Sequence, residues 1–184
     1  MAKRPKKPPT FETRRLTVRP WRKSDLEDAN ALYSDPNNLR YRNALAHTNL
    51  AETRRVMIWH LAYQPQYYAM WAVAEKKSGR VVGMVNYHHR FTAQKRVDVG
   101  WLMLPSHQGK GLTAEAMRPV LRHVVDDLGV HKVEALNMAA NKPSQALARK
   151  LGFRKEGGPI RDRWQRGGKW HSVLIYGLVA GEER

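Results

Sequence analysis

Apolar and polar residues alternate in several short stretches of the chain, and a period of two residues is typical of β-strands. The stretches that predict strands lie at 16–21, 68–75, 81–89, 97–104, 133–136, 153–157 and 170–178. The stretch at 97–104 is more apolar than those before it, which indicates a central strand, and Pro105 ends it. A turn is predicted at 77–79 and a hairpin around Gly167 and Gly168.

Helical spacing and capping residues predict four helices. Ser24 and Glu27 form a candidate capping box that opens a helix ending near residue 33. Asn49 with Glu52 is a candidate cap for a second helix that ends near residue 63. A long helix is predicted at 113–128, with Gly129 at its C′ position, and a short one at 143–151.

The predicted element order is βααβββαβαββ, in which strands and helices interleave in the second half. This order indicates an α/β (α+β) fold with a mixed sheet covered by helices. Residues 1–10 alternate basic residues with prolines and predict a flexible basic tail, so a single domain is expected at 11–184.

Charge and composition limit the classes of binding partner and of active-site chemistry. The 184 residues include 33 Lys and Arg but only 16 Asp and Glu, which gives a net charge of +17. Such a field attracts polyanions: a nucleotide cofactor, the ribosome, nucleic acid or an anionic substrate. A solvated basic surface that serves solubility explains the charge equally well. The absence of cysteine excludes disulfides, thiolate metal sites and a cysteine nucleophile.

The chain also lacks an apolar run of the roughly 18 residues that a membrane helix needs, and its start has no apolar core of a secretory signal. We therefore expect no membrane association and a cytoplasmic location.

The loop between the strand at 97–104 and the helix at 113–128 carries the clearest chemical signal. Its residues are Gln108, Gly109, Lys110, Gly111, Leu112 and Thr113. The two glycines allow a tight turn and close approach of a ligand. The first N–H groups of the helix have no intrahelical partner, so they favour an anion such as a phosphate. The alternative is an ordinary strand-to-helix turn.

This loop resembles the Gln/Arg-x-x-Gly-x-Gly/Ala motif of the GNAT N-acetyltransferases. Downstream, Asn141 with Ser144, the Leu-Gly-Phe at 151–153 and Gly157 are similar to that superfamily's Asn-x-x-Ser, Leu-Gly-Phe and Gly pattern. Upstream, 14–21 and 98–102 resemble the RimJ/RimL-like branch, which includes the Rim-type ribosomal-protein N-acetyltransferases. The resemblance spans about 14–178, nearly the whole folded part.

Two residues depart from the pattern of the family. Thr113 stands where the family usually has Gly or Ala, and a threonine can still cap the helix. His171 stands where the subfamily commonly has Asp, so no carboxylate is assumed at that position.

The resemblance implies a GNAT-type, mostly antiparallel sheet with a splayed cofactor cleft, and direct attack of a primary amine on acetyl-CoA in a ternary complex. The loop at 108–113 would hold the cofactor, and Asn141 would bind its pantetheine arm or cap a helix. The segment of Leu102, Met103 and Leu104 would offer a backbone N–H to the thioester carbonyl.

Asp98 is the first choice for the general base, with a structural ion pair to an arginine as the alternative. Strand alternation places it on one face with Gly100. His88, His89 or water could replace it, and alternation lets at most one of these histidines face the site. Ser144 would donate a proton on the thiol side or only support the start of its helix.

Other candidate residues carry weaker signals. His107 is expected to neighbour the phosphates, and His171 could line the acceptor pocket. We expect no metal, because no close ligand spacing is evident and cysteine is absent. Four tryptophans could lie in the core or form walls of the acceptor pocket, and most are expected in the core. They are Trp59, Trp71, Trp101 and Trp170.

Three acceptors compete: a protein N-terminus, including a ribosomal one; a small amine or amino acid; and an aminoglycoside-like drug. An acidic peptide or anionic metabolite suits the charge of +17 best. The alternative function is a catalytically degenerate acetyltransferase fold that binds nucleic acid or the ribosome. The sequence leaves the oligomeric state open, a homodimer included.

Overall fold

The computed structural model describes residues 7–182, and most of the predicted basic tail lies outside this range. The strands are β1 (Phe11–Glu12), β2 (Leu16–Pro20), β3 (Ala69–Glu75), β4 (Val81–Phe91), β5 (Arg96–Met103), β6 (Lys132–Met138), β7 (Arg154–Arg166) and β8 (Lys169–Val179). The helices are α1 (Leu26–Ser34), α2 (Leu50–Leu61), α3 (Leu112–Arg122) and α4 (Lys142–Lys150). Apart from the short β1, their order is the one that the sequence predicts.

Within the described residues, the strands form one sheet in the order β1-β2-β3-β4-β5-β6-β8-β7. Every neighbouring pair is antiparallel except β5 and β6, which are parallel because α3 carries the chain across between them. The expected mixed, mostly antiparallel sheet with flanking helices is confirmed.

The parallel pair β5 and β6 stays together only at its start. The paired residues are Arg96 with Lys132, Val97 with Val133, and Asp98 with Glu134. Beyond Asp98 no further pair forms, although β5 continues to Met103 and β6 to Met138. The sheet is therefore splayed in its middle, as the resemblance implies.

Helices cover both faces of the sheet because side chains of a strand alternate between the two faces. Val85 and Tyr87 of β4 belong to the apolar core beneath α3. Met84 of β4 and Leu102 of β5 belong to a second core beneath α1 and α2. Asp98 and Gly100 share the face of Leu102, as the alternation predicts. Among the described helices, none has both the length and the hydropathy to cross a bilayer.

One helix start differs from the prediction. Ser24 and Glu27 do not form a capping box, because a 3-10 turn precedes α1 and takes over the start. The carboxylate of Asp25 accepts the backbone N–H of Arg22 at 2.8 Å and pairs with the buried guanidinium of Arg19, also at 2.8 Å. The predicted cap of α2 is confirmed instead, since Asn49 Oδ1 accepts the N–H of Glu52.

Strand β7 is much longer than the predicted 153–157. It runs as an exposed, polar strand to the turn at Gly167 and Gly168, whose φ angles of 55° and 75° fit the predicted hairpin. The sequence pattern does not predict the full length of β7, because the pairing with β8 shifts register and interrupts the alternation of side chains. The extended hairpin matters because its distal part reaches the site.

Candidate active site

The parted strands β5 and β6 open a cleft of about 800 Å³. Its walls come from the loop after α1, strands β4 to β6, the starts of α3 and α4, and the β7–β8 hairpin. The cleft joins the two faces of the sheet through the gap between the strands. A ligand held at the start of α3 can therefore reach groups on the opposite face.

The loop at 108–113 lies at one end of this cleft. Gly109 and Gly111 have φ angles of 73° and 75°, in the left-handed region that favours glycine. The first intrahelical bond of α3 runs from Glu115 N to Gly111 O at 3.1 Å, so the amides of 112–114 precede it. A Cβ on Gly109 would meet nothing within 4 Å. The loop is thus open to an anion.

The side chains of this loop contact the rest of the protein or the solvent. Gln108 Nε2 donates to Met103 O at 2.8 Å and to Asn38 Oδ1 at 3.3 Å, which ties the loop to the end of β5. Lys110 is exposed and its atoms do not line the cleft. Thr113 does not cap α3, because the N-cap is Gly111 in its left-handed conformation. Leu112 is buried, so only its backbone faces the loop.

A clamp that the sequence analysis missed holds this loop in place. Glu115 accepts Thr13 Oγ1 at 2.7 Å and both N and Nε of Arg15 at 2.8 Å and 2.7 Å. Arg15 also donates to the carbonyl of Lys110 at 3.1 Å. Burial raises the pKa of Glu115, but these hydrogen bonds outweigh it and the net pKa is lowered. No local motif signals this contact, because the partners are about 100 residues apart.

The backbone donors of β5 need a correction. The N–H of Leu104 donates to Val82 O at 2.9 Å in the ladder with β4, and alternation turns Leu102 to the same side. Neither can offer a free N–H to the cleft. The N–H groups of Trp101 and Met103 point the other way, toward β6, where pairing has ended.

A polar network lies beside these donors. Asn141 Oδ1 caps α4 by accepting the N–H of Ser144 at 3.2 Å. The hydroxyl of Ser144 donates to Asn137 Oδ1 and accepts Trp101 Nε1–H at 3.0 Å. All of these residues line the cleft. Asn137 was missed in the sequence because a buried strand asparagine has no distinguishing local pattern.

The other end of the cleft holds the candidate base. Asp98 is 7% exposed, and its Oδ2 lies 3.1 Å from His89 Nδ1. Burial raises the pKa of Asp98, although His89 and Arg96 lower it in part. Its Oδ1 has no hydrogen-bond partner among the described residues, and Arg96 lies 3.7 Å away. Both the catalytic and the structural hypothesis are compatible with this placement.

Both neighbouring histidines line the cleft, contrary to the prediction from alternation. His89 has a φ of 48°, and the register of β4 against β5 shifts after His88. The two rings lie 4.7 Å apart. Burial, followed by the charges of His89 and Arg42, lowers the pKa of His88 to about 4. His88 is therefore neutral at physiological pH.

This geometry also bears on the expected absence of a metal. Ligand atoms of His88, His89 and Asp98 lie within 4.8 Å of one another and could hold an ion, which the sequence spacing did not suggest. The cations of Arg42 and Arg96 act on the same groups and oppose a further positive charge. The expectation of no metal stays a prediction.

Asn86 lies opposite Gly100 on the same face as Asp98. A Cβ on Gly100 would lie 2.6 Å from Asn86 Oδ1, so the glycine makes room for this side chain. Asn86 is buried, and its Oδ1 has no hydrogen-bond partner within residues 7–182. Unpaired buried acceptors are rare unless a ligand satisfies them. Asn86 thus joins Asp98 as a candidate contact for an acceptor.

The remaining wall at this end comes from two elements that the sequence does not connect. The loop after α1 contributes Tyr41 and Arg42, and the β7–β8 hairpin contributes Arg163 and Trp164. Arg166 Nε donates to the carbonyl of Ala44 at 3.1 Å and joins the two elements. Only the tertiary structure brings these residues together.

The other candidates have mixed outcomes. His107 lines the cleft beside the loop at 108–113, whereas His171 does not line it and pairs with Trp164 across the hairpin. The prediction that most of four tryptophans lie in the core was wrong. Trp71 is buried, Trp101 lines the cleft, and Trp59 and Trp170 are 61% and 58% exposed.

Comparison with known proteins agrees with this geometry. The sequence matches the family profile described as "Acetyltransferase (GNAT) domain" over residues 15–154. The protein described as "Uncharacterized N-acetyltransferase p20" from Bacillus licheniformis is 29% identical over 178 residues, 94% of this chain and 97% of that protein.

Solved structures share the fold. Spermidine N-acetyltransferase from Vibrio cholerae, in complex with CoA and spermine, has a TM-score of 0.79 at 18% identity, over 91% of this chain and 97% of that chain. The ribosomal-protein-S5-alanine acetyltransferase from Vibrio fischeri has a TM-score of 0.78 at 19% identity, over 96% and 100% of the two chains.

The profile match covers most of the chain, the sheet has the GNAT arrangement, and the loop at 108–113 leaves the amides at the start of α3 without intrahelical partners. The chain belongs to the GNAT acetyltransferase family, in its RimJ/RimL-like branch, and is an N-acetyltransferase that uses acetyl-CoA.

Proposed function

We propose that the enzyme transfers the acetyl group directly to a primary amine, with both substrates bound in the one cleft. The cofactor supplies an acetyl thioester whose carbonyl carbon the amine attacks. The observation that carries the proposal is the gap between β5 and β6. It links the open loop at 108–113 on one side to two buried oxygens, of Asn86 and Asp98, that have no hydrogen-bond partner among the described residues on the other.

At the cofactor end, the amides of Gly109, Gly111 and residues 112–114 would bind the diphosphate together with the dipole of α3. The N–H groups of Trp101 and Met103 would hydrogen bond the pantetheine arm and the thioester oxygen. Negative charge develops on that oxygen during attack, so fixed donors stabilise the transition state more than the ground state.

At the acceptor end, Asp98 would accept the proton that the amine must lose. Its pKa is raised by burial, and a base is more effective when its pKa approaches the working pH. Asn86 Oδ1 and the neutral His88 would orient the remaining amine hydrogens. His88, His89 or water remain alternative proton acceptors.

Ser144 has a positioning part in this proposal. Its hydroxyl proton is committed to Asn137, and its oxygen accepts from the indole of Trp101. A proton donor to the departing thiolate would first have to break the bond to Asn137. Ser144 therefore holds Trp101, and through it the backbone donor, in place.

The test is release of CoA from acetyl-CoA on addition of a panel of amines and N-terminal peptides. We expect turnover that requires both substrates, with no acetyl-enzyme isolated in the absence of amine. Asp98→Asn should lower kcat strongly, whereas exposed Asp126→Asn should not. Turnover that is unaffected by Asp98→Asn would assign the proton transfer to another group.

A further inference from the structure

The acceptor end of the cleft has a strongly one-sided charge. Arg42, Arg163 and the histidine pair at 88 and 89 line it, and Asp98 is the single carboxylate among the described lining residues. Because Arg42 and Arg163 are charged whereas His88 is neutral, these two arginines would repel an acceptor that carries additional positive charge.

Arg42 and Arg163 also lack internal partners. Within residues 7–182, neither guanidinium takes part in an ion pair or a side-chain hydrogen bond. Most other arginines near the sheet are paired, as Arg15 is with Glu115 and Arg19 with Asp25. A guanidinium has five donors in a planar fork suited to carboxylate or phosphate. Both guanidinium groups line the cleft, Arg42 half-buried and Arg163 exposed, so two unpaired forks are available there to an anion.

The fold holds these arginines on two elements that contact each other, the loop after α1 and the β7–β8 hairpin. The bond from Arg166 Nε to Ala44 O fixes the hairpin against the loop after α1. Within the hairpin, Asp162 has a φ of 50° and the register shifts before Trp164, which lets Arg163 and Trp164 both line the cleft. The charge of Arg42 contributes to the lowered pKa of His88, so it acts on the groups around Asp98.

We propose that the acceptor is a small amine that carries an anionic group, with the amine beside Asp98 and Asn86 and the anion bound by Arg42 and Arg163. This inference rests on the acetyl transfer proposed above. A zwitterionic amine matches the combination of acceptors on the strands and cationic donors on the loop and hairpin. A polyamine matches it poorly, since each additional positive charge meets these cations.

The experiment measures kcat/KM for amines that differ in charge. L-leucine is compared with L-leucinamide, and phosphoethanolamine and spermidine complete the panel. At neutral pH a larger fraction of leucinamide than of leucine is the free amine, so the reactivity of the amine alone favours leucinamide. We expect leucine or phosphoethanolamine to be preferred at least about tenfold, since a charge-assisted pair contributes on that order. The two anionic compounds distinguish a carboxylate from a phosphate site.

Variants separate recognition from catalysis. Arg42→Gln and Arg163→Gln should each lower kcat/KM for the anionic amine about 10- to 100-fold through KM, with little change for leucinamide. Exposed Arg161→Gln is the matched control on the same hairpin, because Arg161 does not line the cleft. Arg163→Glu should shift the preference toward spermidine.

The outcomes are distinguishable. If leucinamide or spermidine is acetylated as well as the anionic amines, or if the arginine variants act equally on all amines, the anionic-acceptor proposal is overturned while acetyl transfer stands. If no amine of this panel or of the wider panel above releases CoA from enzyme that binds acetyl-CoA, the proposed transfer to a primary amine fails, and this inference fails with it.

Discussion

Single residues in the cleft combine functional and structural demands that conflict. Asp98 is buried, and its raised pKa means that burial outweighs the opposing effects of His89 and Arg96. One oxygen of Asp98 and the side-chain oxygen of the buried Asn86 have no hydrogen-bond partner among the described residues. Such groups reduce stability in the free protein, and a substrate that pairs with them relieves that cost.

Asp98→Asn should therefore be less active but more stable. Loss of a general base lowers kcat by about 10²- to 10⁴-fold. A carboxyl whose folded pKa is raised contributes stability below its unfolded pKa and loses it as pH rises through the folded value. At neutral pH the wild-type charge is thus unfavourable, and Tm of the variant should be higher. Thermal unfolding at neutral and acid pH checks this, and a lower Tm of the variant at neutral pH would contradict it.

Gly100→Ala should impair the acceptor half of the site alone. The new Cβ would lie 2.6 Å from Asn86 Oδ1 and force that side chain to move. A displacement of this size lowers kcat/KM for the amine by about 10- to 100-fold. Steady-state kinetics and CoA titration measure the two halves separately. An equal loss of CoA affinity would show that the substitution disturbs β5 as a whole.

The secondary-structure elements position these residues, and the sequence predicts most of these elements. Alternation and caps predict seven of the eight strands and four helices, because these signals are local. The left-handed φ at His89 and the register shifts in β7 interrupt the alternation of side chains. The sequence therefore predicts that at most one of the two histidines faces the site, and it does not predict the long hairpin. The clamp on Glu115 depends on contacts between segments that are distant in the sequence, and so does the placement of the arginines at the acceptor end. No local sequence pattern reveals such contacts.

The clamp at the start of α3 gives an element-scale prediction. Glu115→Gln weakens three hydrogen bonds that join the β1–β2 segment to the helix, at a cost of about 1–3 kcal/mol in the free energy of unfolding. Because the pKa of Glu115 is lowered, this contribution is present above the unfolded pKa and lost as pH falls through the folded value.

Urea denaturation at neutral and acid pH checks the prediction. The difference between wild type and Glu115→Gln should shrink on acidification, while exposed Asp126→Asn should cause little difference at either pH. A difference that is constant with pH would mean that the charge of Glu115 does not matter for the clamp.

At the scale of the whole molecule, a net charge of +17 surrounds a cleft that we propose binds anions. The same charge that favours binding of the cofactor favours binding of any polyanion, and association with nucleic acid or the ribosome stays a prediction. A cytoplasmic location and a homodimer also stay predictions. The described lining of the cleft contains several basic residues and Asp98 as its single carboxylate, so the cleft concentrates positive potential.

Association of CoA should consequently depend on salt. Electrostatic steering raises association rates about 10-fold or more at low ionic strength, and screening removes it. Stopped-flow fluorescence can follow binding through Trp101 in the cleft. The association rate constant of CoA should fall with added salt, whereas that of uncharged pantetheine should not. Equal salt dependence for the two ligands would exclude steering by the diphosphate.

The most direct test of the account is calorimetric titration of the Gly111→Val variant with CoA and with pantetheine. Gly79→Val is the control, because Gly79 has a similar φ of 70° in a turn that does not line the cleft. The account predicts that Gly111→Val weakens CoA at least about tenfold, which is the loss of one charge-assisted hydrogen bond, and leaves pantetheine nearly unchanged. Gly79→Val should bind CoA like wild type. Unchanged CoA affinity in folded Gly111→Val would contradict the claim that the amides at the start of α3 hold the diphosphate.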